Sequence, residues 1–99
     1  MHYVVTMTSP SHRMLRKLPS PIRNHLVSQA ETLADNPQLG QQLEGKLHPF
    51  CSLHTTYKGT HYRIIYEVNA KLREIIVRAV GPRENLYKRL ERMKLKPLT

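Results

Sequence analysis

The chain has 99 residues, 39% hydrophobic and 23% charged, enough for one domain spanning residues 1–99 and too few for a second core. Sixteen lysines and arginines stand against seven acidic residues, a formal charge of +9 before any histidine is protonated. No apolar run nears the ~20 residues of a membrane span, and residues 1–20 lack the apolar core of a signal peptide. Cys51 is the single cysteine, so an internal disulfide and a four-cysteine zinc site are both excluded, and a reducing cytoplasm is the expected compartment. The basic excess points to a polyanion: nucleic acid, the ribosome, an acidic protein or anionic lipid. Residues 1–49 hold five basic and three acidic side chains, residues 50–99 eleven and four. The second half is where a working surface is expected.

In chain order, Tyr3-Val4-Val5-Thr6-Met7 reads as a short strand. Ser9-Pro10 is a cap followed by a first-turn proline, and Met14, Leu15 and Leu18 give the next helix one apolar side. Ser20-Pro21 repeats that start, and Ile22, Leu26, Ala30, Leu33 and Ala34 recur at helical spacing until Asn36-Pro37. Leu39 to Pro49 is polar and reads as a loop or the start of a short strand. The period then changes. Phe50 to Tyr57, Tyr62 to Val68 and Arg73 to Val80 are strand candidates, with turns at Lys58-Gly59 and Asn69-Ala70-Lys71. Ile75-Ile76-Val77 is apolar on both faces, which suits a central strand. Gly81-Pro82 ends the sheet and Glu84 to Met93 has helical composition. The order β-α-α-β-β-β-α describes an α+β domain: an antiparallel sheet core, two N-terminal helices on one face and a C-terminal helix.

Helices on one face leave the other open, and strand residues alternate between the two. Ser52, His54 and Thr56 share one face of their strand, and Arg63, Ile65 and Glu67 share one face of the next. Arg63 is out of place among residues suited to a sheet interior. It either serves a ligand, snorkels at a margin or pairs with Glu67. Arg78 raises the same question. Arg83 and Tyr87 lie one helical turn apart, followed by Lys88, Arg89, Arg92, Lys94 and Lys96 with Glu91 opposing. An arginine fork can hold a phosphate and a tyrosine ring can stack on a base, although a solvated basic helix with a tyrosine at its root has the same composition.

Three stretches together carry a resemblance: Gly45-Lys46-Leu47, then His61-Tyr62-Arg63-Ile64-Ile65-Tyr66-Glu67-Val68, then Val80-Gly81-Pro82-Arg83-Glu84-Asn85-Leu86-Tyr87. In this order, after a strand-helix-helix opening, they resemble the RelE/ParE superfamily of bacterial toxins, on the RelE branch. The resemblance implies a ribosome-dependent endonuclease that cuts messenger RNA in the A site and is silenced by a cognate antitoxin, an acidic and partly disordered chain. It implies attack of a ribose 2′-hydroxyl on the adjacent phosphate, with no metal or other cofactor. Carried over by position, Arg63 contacts the scissile phosphate, Arg83 gives a second phosphate contact or stabilises the leaving group, and Tyr87 positions the messenger.

Where RelE carries lysines on the preceding strand, this chain has Ser52, His54 and Thr56, then Lys58 in the turn. His54 is the candidate base, because imidazole titrates near neutrality. His61 comes second, and Lys58, His61, Lys88, Arg89 and Arg92 are candidate RNA contacts. Glu67 is a base only if it faces Arg63 free of a structural ion pair. Two other classes fit the same features: a ParE-like inhibitor of DNA gyrase, and a non-catalytic RNA- or ribosome-binding module. Metal binding by His48, Cys51, His54 and His61 is disfavoured, since Cys51 and His54 point to opposite faces of one strand. Nothing near Cys51 in the sequence activates it as a nucleophile, and the basic C-terminal helix has too few large apolar residues for a lipid face.

Overall fold

A computed structural model describes residues 2–99. Strand β1 (Val4–Met7) pairs in parallel with β5 (Glu74–Pro82), Val5 opposite Ile75 and Met7 opposite Val77. Helix α1 (Ser9–Arg16) starts one residue earlier than its sequence signal. Thr8 is the cap, because its extended backbone lets Oγ1 accept the Ser11 N–H at 3.3 Å, while Ser9 is already helical. Helix α2 (Ser20–Glu31) likewise begins its hydrogen bonding at Pro19, whose carbonyl accepts from Arg23, so Ser20 is not a cap. The helix tightens into a 3-10 turn at Thr32–Ala34, before the expected stop at Asn36-Pro37. Leu33 and Ala34 are buried there.

The polar stretch after it contains a two-residue strand, β2 (Gln41–Gln42), and a 3-10 turn at Gly45–Leu47. Strands β3 (Cys51–Tyr57) and β4 (Thr60–Asn69) form a hairpin through Lys58 and Gly59. Both turn residues have positive φ, 48° and 82°, as the twist of a two-residue hairpin demands. The β4–β5 turn is longer: Asn69 Oδ1 accepts the Leu72 N–H and Arg73 takes φ 52°. The sheet order is β1-β5-β4-β3-β2. Strand β5 is flanked on both sides, as its apolar run requires, but stands one place from the centre, which β4 holds, and the expected meander becomes part of a five-stranded mixed sheet. Helix α3 (Arg83–Met93) follows β5 directly.

Cross-strand partners share a face, which assigns the two sides. Leu53, Thr55, Tyr62, Ile64, Tyr66 and Val77 lie on the helix face, where His25 of α2 hydrogen-bonds Thr55 at 2.8 Å and Ser11 of α1 donates to the Val77 carbonyl at 2.9 Å. Ser52, His54, Thr56, His61, Arg63, Ile65, Ala79 and Gly81 lie on the other. The alternation breaks once. Ile65 pairs with Ala79 and Tyr66 with Val77, leaving Arg78 as the extra residue of a β-bulge.

The bulge settles the question over Arg78. Its guanidinium is buried, paired with the buried Glu67 carboxylate and lying 5.3 Å from the Phe50 ring centre. The C-terminal segment closes over this pair: the Lys96 carbonyl accepts from Arg78 Nη1 and the Leu98 N–H donates to Glu67 Oε1, both at 2.8 Å. Glu67 is therefore a structural residue, and its partner is Arg78 rather than Arg63.

Candidate functional site

At the other end of the same face, the β3–β4 register sets His54 opposite Arg63 and Thr56 opposite His61. Across β5, Arg63 pairs with Gly81, and two residues on stands Arg83, the first residue of α3. Arg63 is half-buried, yet its Nη1 is buried with no hydrogen-bond partner. Ser52 Oγ, on the same face, is also buried and unpaired. Buried polar groups are paired in nearly all cases, and an unpaired guanidinium nitrogen is costly. It is also ready to receive an anionic oxygen without first breaking a bond.

His54 and His61 form a pair. Their rings stack at 5.0 Å between centres and 21° between planes, and His54 Nε2 lies 2.8 Å from His61 Nδ1. The His54 imidazole is held below the ordinary histidine range, first by lost hydration, then by repulsion from Arg63, His61 and Arg83. It stays neutral, and able to accept a proton, at lower pH than a free histidine. His61 also lines a cleft of about 440 Å³ with Gly59, Thr60, Pro82, Arg83 and Glu84.

The remaining predicted site residues are placed unequally. Tyr87 is one turn beyond Arg83 and half-buried, its ring packed on the hydrophobic core. Lys58 is exposed at the hairpin tip, its Nζ 5.6 Å from the Tyr57 ring centre. Lys88, Arg89 and Arg92 do not join the His54–Arg63 group; they line a groove along α3. Lys17, just after α1, lines this groove too, and Arg13 of α1 lines an adjoining one with Lys17, Arg89 and Arg92; neither cation was singled out from the sequence. Their signal was legible: α1 has Arg13 and Arg16, Lys17 follows it directly, and the helix has no acidic residue.

Cys51 lies on the helix face against Tyr66, away from His54. Burial pushes the Cys51 thiol up and the Tyr66 hydroxyl up to about 12, so both stay protonated near neutral pH. Tyr66 is used structurally: it donates to the Pro37 carbonyl at 2.8 Å and accepts the Gly40 N–H at 2.9 Å. Among the described residues, no three His, Cys, Asp or Glu side chains gather as a metal-ligand set, and no helix is long and apolar enough to cross a membrane.

A small basic α+β domain with this order of strands and helices has known counterparts. Residues 5–91 match the ParE-like toxin of type II bacterial toxin-antitoxin systems. The chain belongs to that family, and its fold is RelE-like. The toxin-antitoxin complex RelBE2 from Mycobacterium tuberculosis contains a similar chain, 28% identical over 84% of this chain and 100% of that one, with a TM-score of 0.73. An arginine double mutant of E. coli toxin RelE in the free state is 22% identical over 96% and 100%, also at 0.73. The archaeal RelE-RelB complex from Pyrococcus horikoshii gives 24%, 85% and 98%, at 0.62. The curated proteins contain no match to the sequence.

Proposed function

We propose that this toxin is a ribosome-dependent messenger RNA endonuclease of the RelE kind, acting in the cytoplasm and held silent by a cognate antitoxin. The observation that carries this reading is the unpaired, buried Nη1 of Arg63 beside an exposed histidine pair. The reaction forms a bond from the ribose 2′-oxygen to phosphorus and breaks the bond to the 5′-oxygen. Negative charge grows on the phosphate oxygens, a proton must leave the 2′-hydroxyl, and the departing oxygen must gain one. Arg63 and Arg83 supply fixed positive charge, His54 takes the proton, and Tyr87 holds the messenger in line. Lys58, His61, Lys88, Arg89 and Arg92 contact the RNA backbone.

The toxin complexes among its structural neighbours, RelBE2 and the archaeal RelE-RelB, support a protein antitoxin here too. A charge of +9 favours an acidic, partly disordered one that folds on binding.

The test is purified toxin added to ribosomes stalled on a defined messenger, with breaks mapped by primer extension. Cuts in the A-site codon, absent with naked RNA, are the expected result. An intact messenger would overturn the reading, and a gyrase supercoiling assay would then examine the ParE-like alternative that the family's name favours.

A further inference from the structure

The hydrogen bond between the two imidazoles has a consequence for how protons move. It engages His54 Nε2 and His61 Nδ1, and a bond between two ring nitrogens needs a proton on one and a lone pair on the other. The nitrogens left over are His54 Nδ1 and His61 Nε2. In the neutral pair, if His54 donates, His54 Nδ1 carries a lone pair and His61 Nε2 a proton. If His61 donates, the roles reverse. The pair thus has two neutral states that differ only in which end accepts and which end gives.

We propose that His54 and His61 act as one proton relay, accepting the 2′-hydroxyl proton at His54 and delivering a different proton to the departing 5′-oxygen from His61. This rests on the RNA-cleavage reading above. The 2′-oxygen bonds to phosphorus as its proton passes to His54 Nδ1. The proton of His54 Nε2 crosses to His61 Nδ1, and the proton of His61 Nε2 goes to the 5′-oxygen as the P–O5′ bond breaks with its electron pair. Both rings begin and end neutral. Hydrolysis of the resulting 2′,3′-cyclic phosphate is the reverse traffic: the water oxygen bonds to phosphorus as it gives a proton to His61 Nε2, the His61 Nδ1 proton crosses to His54 Nε2, and His54 Nδ1 returns one to the 2′-oxygen as the P–O2′ bond breaks, which resets the pair.

The surroundings favour a relay over a lone base. The charges nearest His54 are Arg63 on β4 and Arg83 at the start of α3, with Lys58 in the adjoining turn. Glu84 is the acidic group in the cleft beside His61. A base that became an imidazolium would do so against two guanidiniums, at a Coulombic penalty. A relay avoids that intermediate, and the arginines remain free to stabilise the phosphate.

The test combines single-turnover cleavage on ribosomes with ring-nitrogen NMR of the free toxin. His54→Ala and His61→Ala should each lower the rate by about 10²–10⁴-fold, and the double variant should lose no more than the worse single one. The wild-type rate should show an acid limb and no basic limb, because both rings enter the relay neutral. In the NMR arm, His61→Ala and the polar His61→Gln should both shift the His54 ring nitrogens and their titration. Multiplying losses, a bell-shaped profile or unmoved His54 resonances would each overturn the relay while wild-type cleavage left the parent reading standing. Absent wild-type cleavage would remove both.

Discussion

Arg63 and Arg78 sit on neighbouring strands and the same sheet face, and both look out of place in sequence. One has a buried carboxylate partner, an aromatic ring beneath it and a carbonyl from the C-terminal segment. The other has a buried nitrogen with no partner and two histidines beside it. The difference turns on one irregularity: a bulge that sets Arg78 against Glu67, while Arg63 stays in regular register opposite His54 and Gly81. A guanidinium whose charge is already neutralised locks the fold, whereas one left unmatched has its charge available for a ligand. The same residue type on one surface therefore serves two ends, and its partners decide which.

The sharpest way to break this contrast is to remove Glu67. Glu67→Ala leaves Arg78 buried without its counter-charge, and breaking a buried pair from one side costs about 3–5 kcal/mol. Thermal or denaturant unfolding should show that loss; a change within about 0.5 kcal/mol would mean that the pair is not structural. Arg63→Ala should do the converse, lowering cleavage by about 10²–10³-fold as expected for a lost charge-stabilising donor, with stability unchanged or improved because the unpaired nitrogen is gone. A destabilised Arg63→Ala would place that side chain with Arg78 as a structural group. A smaller effect comes from Leu98→Pro, which deletes the N–H that Glu67 Oε1 accepts. Because the carboxylate keeps Arg78 and the chain end can fray, about 1 kcal/mol is expected in unfolding, together with faster amide exchange across residues 94–99.

Most of the fold was legible because its signals are local. The Lys58-Gly59 turn, the apolar run Ile75-Ile76-Val77 and the proline-started helices each carry their own physics within a few residues. What was not legible depended on distant segments meeting. The parallel docking of β1 on β5, the bulge at Arg78 and the fold-back of residues 94–99 arise from tertiary pairing that periodicity does not encode. The site divides in the same manner. Arg63 and His54 could be placed on strand faces from alternation, but that His54 and His61 bond to each other follows from a register that pairs position 54 with 63 and 56 with 61. Arg13 and Lys17 had a legible local charge, but that they stand near Arg89 and Arg92 of α3 follows from the packing of α1 against the chain's last helix.

The least dramatic prediction tests whether Arg63 is electrically unmatched. A histidine held below its ordinary value binds fewer protons folded than unfolded, so between the lowered value and 6.5 the unfolded chain takes up the extra proton. The His54 contribution to stability is thus full above pH 6.5 and is lost as pH falls toward the lowered value, a modest slope because the ring is exposed. In NMR titration, Arg63→Ala should raise the His54 value toward 6.5, and Arg83→Ala should raise it by less, in keeping with the order of the two repulsions. Added salt should shrink the difference for wild type, since an exposed pair is screened within about 8–10 Å at 0.1–0.15 M. Lys88→Ala, along the α3 groove, should leave the curve where it was. A His54 titration indifferent to Arg63 would mean that some counter-charge already neutralises the guanidinium, and the contrast with Arg78 would collapse.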